Sequence, residues 1–128
     1  MAYLMLTQCK LIDVLHLKDI DKLSVVIAAA CHDLGHDGFT NNYHMNAVTL
    51  RAIESNDNSV QERYHAQKTF EILSKDTCNF MSMVSRSEFA HFRKRVISLI
   101  LATDMTCHAS MVSHMNQLTS INNINGLQ

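Results

Sequence analysis

With 128 residues, 11 basic and 12 acidic side chains, the chain has a formal net charge of -1 and no Lys/Arg run longer than Arg93-Lys94-Arg95, which argues against nucleic-acid binding by phosphate neutralisation. A hydrophobic fraction of 47% excludes a disordered chain, and the length suits one domain or a piece of one. Cys9, Cys31, Cys78 and Cys107 stand far apart with no C-x-x-C pair, which excludes a zinc ribbon or redox motif; reduced, mostly buried thiols in the cytoplasm are the expectation.

Met1-Ala-Tyr-Leu-Met-Leu6 is apolar but lacks a basic start and a small-residue cleavage site, and Lys10 and Asp13 interrupt it. It reads as neither a signal peptide nor a membrane span. Proline is absent, glycine occurs three times, and no period-two alternation is sustained, so an all-α multi-helix bundle is predicted. A first helix is expected over about Ala2 to His16. A second, capped by Asp19 or Asp21, carries Leu23 to Cys31, apolar almost all round and so expected to be buried. Asn41 and Asn42 fall in a loop before a short helix at about Tyr43 to Ser55, and Asn56-Asp57-Asn58 reads as a turn. Ser59-x-x-Glu62 has the form of a capping box opening a helix to about Leu73. A second box, Ser85-x-x-Glu88, opens the strongest helix, with Phe89, Phe92, Val96, Leu99 and Ile100 at helical spacing. A last amphipathic segment covers roughly His108 to Leu118, and residues 122–128 read as a loose tail.

The densest chemistry lies in Cys31-His-Asp-Leu-Gly-His-Asp-Gly38. On a helix His32 and His36 share a face and Asp33 and Asp37 form a parallel pair, until Gly35 and Gly38 break it. An imidazole beside a carboxylate at a helix end can reach a metal from two directions; Asp33 suits a bridging carboxylate and His32 the imidazole ligand of a hydrolytic centre. The plainer alternative is a helix-end ion pair. Glu62 and His65 lie on nearly one helical face, where they can orient a proton donor or bind a phosphate oxygen, unless Glu62 only caps its helix. Asp104 follows a long apolar helix, where its charge opposes the C-terminal dipole unless a cation, or service as the N-cap of the final helix, compensates it. Thr103 and Met105 share that ambiguity. His16, His44, His91, His108 and His114 show no organised spacing.

Three segments, CHDLGHDGFTNNY (31–43), NDNSVQERYHA (56–66) and LATDMTCHASM (101–111), in this order and spacing resemble the catalytic domain of the class I 3′,5′-cyclic nucleotide phosphodiesterases, a branch of the HD-type metal-dependent phosphohydrolases. The first is close to the family signature His-Asp-x-x-His-x-Gly-x-x-Asn. The resemblance implies hydrolysis of cyclic AMP or cyclic GMP to the 5′-monophosphate in signal transduction, with two divalent metals, zinc and magnesium or manganese. It implies that His32 binds zinc, that Asp33 bridges both metals and that Asp104 holds water on the second, with Thr103 beside it. His36 would stand close to the metal water and phosphate, Glu62 would assist the general acid, His65 would sit near the phosphate, and Met105 would line the nucleotide pocket. A homodimer is the assembly the family allows for the full-length protein.

Gly35 and Asp37 depart from the Asp and Pro usual in the family, and Arg63 and Tyr64 from Asn and His. The family's upstream His motif and its downstream metal-binding aspartate and purine-gripping residues have no counterpart here. The chain is therefore expected to be the middle of a catalytic domain, completed by N- and C-terminal parts. A catalytic zinc keeps three protein ligands, and His32 and Asp33 make two, so the chain alone is expected to be inactive or nearly so. Two alternatives stay open: another HD-type nucleotide phosphohydrolase, and a non-catalytic helical fragment that binds a partner.

Overall fold

The computed structural model describes residues 16–125, with side chains described to residue 117. These residues form α1 (Asp19–Cys31), α2 (Asn41–Asn46), α3 (Leu50–Ser55), α4 (Val60–Leu73), α5 (Arg86–Leu101), a 3-10 turn (Met105–Cys107) and α6 (His108–Asn125), with no strand among them. The fold is all-α, as the sequence predicts. The helix expected at Ala2 to His16 lies outside the described residues except for His16.

The centre is α5. Its start is fixed by the predicted box: Ser85 Oγ accepts from Glu88 N at 3.3 Å while Glu88 Oε2 accepts from Ser85 N at 3.3 Å. Phe92, Val96 and Ile100, spaced four apart, form one stripe with zero exposure. Ala28 of α1, Ala66 and Phe70 of α4, and Met81 from the connection before α5 close over that stripe. Phe92 meets Phe70 and Phe80 nearly edge-on, at ring separations of 6.3 and 6.5 Å. Across the α1–α5 seam, the buried carboxylate of Asp21 accepts from His91 Nε2 at 2.8 Å and Arg95 Nε at 3.1 Å. His91 lowers the Asp21 pKa most; burial opposes this, and Arg95 reinforces the lowering.

Several expectations change. Asp21 lies inside the first turn of α1, with Lys18 at the N-cap; its carboxylate reaches back to the Lys18 N–H at 3.3 Å. Burial of α1 is confined to one face, through Asp21, Ser24 and Ala28, while Val26 is 41% exposed and Ala29 and Ala30 are open. Among the described residues its main packing partners are α5 and α4, and two neighbours on one side cannot cover a whole helix. The single helix expected from Tyr43 to Ser55 is two, because Val48 takes a left-handed φ of 49° and Thr49 starts a new cap by accepting from Ala52 N. A β-branched residue in that region is strained. Residues 122–125 are helical instead of forming a tail. The thiols are less hidden than expected: Cys78 is exposed and Cys31 and Cys107 are half-buried, all three free. No single helix among the described residues is long and apolar enough to cross a membrane.

Phe92→Ala should cost about 3–5 kcal/mol, because a large ring leaves a cavity at the meeting point of α1, α4 and α5. Met83→Ala, at a side chain 94% exposed, should change stability by less than about 0.5 kcal/mol. Urea denaturation of the two variants measures the contrast.

Candidate active site

The chain turns sharply after Cys31, where α1 ends. Gly35 adopts a φ of +75° and Gly38 of +88°, left-handed conformations that other residues rarely take. The expected helical pairing of His32 with His36 and of Asp33 with Asp37 is therefore not formed, because α1 has stopped before Asp33. The turn instead sends Asp33 and His36 one way and Asp37 another.

Asp33 and His36 enter a cleft of about 370 Å³ that they share with Glu62 and His65 of α4, and with Asp104 and Met105. Six of the eight sequence-predicted site residues thus meet, from three separate segments. Two do not line it. Thr103 donates its hydroxyl back to the Ile100 carbonyl at 2.7 Å, and His32 packs beside Asp33, its Nε2 3.1 Å from Asp33 Oδ2.

Backbone groups set the imidazole tautomers. His65, 1% exposed, places Nδ1 2.8 Å from the Leu34 carbonyl; a carbonyl only accepts, so Nδ1 carries the proton and Nε2 is an acceptor. In His36 the order is reversed: Nδ1 accepts from the Gly38 N–H at 2.8 Å, which makes Nε2 the donor. The two rings stack with centroids 5.6 Å apart, so the cleft wall carries one acceptor and one donor side by side. Burial lowers the His65 pKa; the Leu34 carbonyl and Asp33 oppose that, and His36 adds to it.

The carboxylates are held by neighbours the sequence did not flag. Glu62 Oε2 accepts from Asn41 Nδ2 at 2.9 Å, and Asn41 Oδ1 in turn accepts from Gln61 N at 2.9 Å. Asn41 therefore caps α4 from a distance. The predicted Ser59–Glu62 box is absent: Ser59 sits at a left-handed φ of 45° and makes no side-chain cap bond. Its hydroxyl donates to Asp104 Oδ2 at 2.7 Å. Asp104, 5% exposed, also accepts from Thr106 N at 2.9 Å and Thr106 Oγ1 at 2.8 Å through Oδ1, which makes it the N-cap of the 3-10 turn leading into α6. Burial works against its ionisation, yet the Thr106 amide and the Ser59 and Thr106 hydroxyls hold its carboxyl below the usual range.

Asp37 turns away from the cleft. Its carboxylate meets Arg51 Nη1 at 3.0 Å, Gln61 Nε2 at 2.6 Å and the Phe39 N–H at 3.2 Å, with the buried His44 at 3.3 Å. Despite desolvation, which raises its pKa, these donors lower it to about 2. Arg51 lies over the Tyr64 ring at 3.6 Å, and a Cβ on Gly35 would come within 3.1 Å of that ring. Three of the four departures from the family pattern, at Gly35, Asp37 and Tyr64, therefore meet in one network.

Three carboxylates, of Asp33, Glu62 and Asp104, line the cleft, and no Lys or Arg does so among the described residues. His32 Nδ1 lies 3.0 Å from the Ala29 carbonyl and so carries its proton; its Nε2 lone pair faces Asp33 Oδ2, a contact that needs a shared proton or a cation. The donor chemistry suits a divalent cation. The donor number falls short: no three His, Cys, Asp or Glu side chains gather closely enough among the described residues to hold one.

An all-α fold that gathers two imidazoles and three carboxylates in one cleft offers the side-chain types that a metal-dependent hydrolytic centre uses. The model of the 3′,5′-cyclic nucleotide phosphodiesterase family matches residues 1–126, and the chain belongs to that family. It is 37% identical over 108 residues to the probable 3′,5′-cyclic-AMP phosphodiesterase pde-4 of Caenorhabditis elegans, covering 84% of this chain and 16% of that protein. It is 38% identical over 117 residues to the high affinity cGMP-specific 3′,5′-cyclic phosphodiesterase 9A of Pan troglodytes, covering 91% and 19%. The phosphodiesterase domain of the RhoPDE fusion protein from Salpingoeca rosetta shares its fold with a TM-score of 0.79 at 36% identity, covering 83% of this chain and 33% of that one. The chain thus spans less than a fifth of the length of these two curated relatives.

Asp37→Asn should cost about 1 kcal/mol at neutral pH, after allowance for solvent screening of a partly exposed carboxylate. A depressed carboxyl stabilises above its unfolded pKa, and that stability is lost as pH falls from the ordinary value of 3.8 through the folded value of about 2. Urea midpoints of the two proteins should therefore differ at neutral pH and converge toward the acid end of that window.

Proposed function

We propose that the protein to which this chain belongs hydrolyses 3′,5′-cyclic nucleotides to 5′-monophosphates in cytoplasmic signalling, and that the 128-residue chain alone is inactive or nearly so. The convergence of Asp33, His36, Glu62, His65 and Asp104 on one cleft carries this proposal. Relatives named for cyclic AMP and for cyclic GMP are 37% and 38% identical to the chain, which supports a stretch that carries chemistry common to both nucleotides.

His32 Nε2 and Asp33 Oδ2 would hold a divalent cation, with zinc and magnesium or manganese proposed, once the rest of the catalytic domain adds the missing donors. Such a cation supplies a hydroxide at neutral pH and offsets phosphate charge. The chain's own groups do the rest. His36 Nε2–H would donate to a phosphate oxygen, and His65 Nε2, fixed as an acceptor, would hold a water proton. Glu62, with Oε2 tied to Asn41, would orient the proton donor to the leaving 3′ oxygen. Asp104 already accepts three hydrogen bonds and keeps capacity on Oδ2 for one water. Met105, 74% exposed at the cleft, would meet the base. A homodimer is proposed as the assembly of the full-length protein.

In the complete catalytic domain, Glu62→Gln should lower kcat by about 10²–10⁴-fold. For the chain itself, calorimetric titration with zinc should give weak uptake that disappears in His32→Ala, and no cyclic AMP hydrolysis. Hydrolysis by the purified chain, unchanged by His32→Ala, would contradict the assignment.

A further inference from the structure

We propose that Arg51 is a positioning residue that clamps the loop carrying His36 against the helix carrying Glu62. Arg51 lies outside the cleft lining, its side chain 19% exposed, yet it holds the residues on both sides of His36, one through its backbone and one through its side chain. Nη2 donates to the Gly35 carbonyl at 3.3 Å, before His36, and Nη1 pairs with Asp37 Oδ2 at 3.0 Å, after it. The same Nη1 donates to Gln61 Oε1 at 2.7 Å, one residue from Glu62. Gln61 closes the ring, donating from Nε2 to Asp37 Oδ1 at 2.6 Å and to the Phe39 carbonyl at 2.9 Å.

The clamp needs a planar fork. A guanidinium can address a carbonyl, a carboxylate and an amide oxygen at once while its face rests on a ring; an ammonium offers one point charge. Tyr64 supplies the ring at 3.6 Å, and Gly35 leaves room for it, since a Cβ there would meet Tyr64 Cε1 at 3.1 Å. Through Asp37 and Gly35 the clamp fixes where the Gly38 N–H stands, and that N–H selects the His36 tautomer. Arg51 thus reaches the cleft through His36 without entering it.

The catalytic consequence rests on the phosphodiesterase assignment, but the test below uses neither substrate nor metal, so failure of either is distinguishable. Hydrogen exchange and imidazole 15N spectra of the 128-residue chain are compared for wild type, Arg51→Lys and Tyr64→Leu, with Arg51→Ala added where it folds. Arg51→Lys should speed exchange of the Gly38 amide by about tenfold through local opening, leaving Val96 and Ile100 amides in the core unchanged. The His36 spectrum should move from one tautomer to a mixture while His65, held by Leu34, keeps its own. Tyr64→Leu should give the same changes to a smaller degree. Gly38 exchange and the His36 spectrum unaltered in Arg51→Lys would overturn the clamp. So would core amides that quicken by the same factor, which would mean Arg51 serves only global stability.

Discussion

The hydrogen bond from His65 Nδ1 to the Leu34 carbonyl is the constraint on which the cleft depends. It ties the turn after α1 to the second turn of α4, over a separation of 31 residues. A buried ring nitrogen without a partner would cost about 1–3 kcal/mol, so the Leu34 carbonyl must stay where His65 needs it. Once it does, Asp33 and His36 on either side of Leu34 and Gly35 have little freedom to leave the cleft. The same bond decides which face of the His65 ring can accept.

The rest of the site is built by the same means at the start of α4. Ser59 reaches Asp104, Gln61 reaches Asp37 and the Phe39 carbonyl, and Glu62 is held by Asn41. Three side chains within four residues thus contact three distant segments, and none of the buried side-chain nitrogen or oxygen atoms among the described residues lacks a partner. The apolar core is narrow by contrast, a stripe of Phe92, Val96 and Ile100 with Ala28, Ala66, Phe70 and Met81 facing it. Core packing fixes α1, α4 and α5 relative to one another. Polar bonds fix the loops that carry the chemistry.

The division explains what the sequence made legible. The Ser85–Glu88 box and the stripe of α5 follow from local spacing, and local spacing predicted them. The Ser59–Glu62 box failed although its letters fit, because each residue had a better tertiary partner and Ser59 took a left-handed backbone. Spacing also misled for His32 and His36, since a helix rule cannot see that α1 stops at Cys31. Arg51, Gln61 and His44 carried no signal, for their partner Asp37 lies 7 to 24 residues away and nothing in their own neighbourhoods announces it. Asp104 was read two ways, as an N-cap and as a site acid; it is an N-cap, and it also lines the cleft.

The charge of the cleft follows from these attachments. Glu62 stands in the first turn of α4, and Asp104 is bound to its N-cap residue, so both anions sit where the helix dipole favours negative charge. Asp33 adds a third from the turn after α1. A phosphodiester carries a negative charge of its own, and an unscreened like charge within a few ångströms costs on the order of 1–4 kcal/mol per pair. With no Lys or Arg in the lining among the described residues, the phosphodiester substrate proposed above would need that repulsion offset by positive charge brought in between the acids and the ligand. The His32–Asp33 contact, Nε2 and Oδ2 3.1 Å apart, calls for positive charge too, as a shared proton or a cation. The two observations are independent, one drawn from the cleft as a whole and one from a single pair, and both ask for positive charge at the Asp33 end.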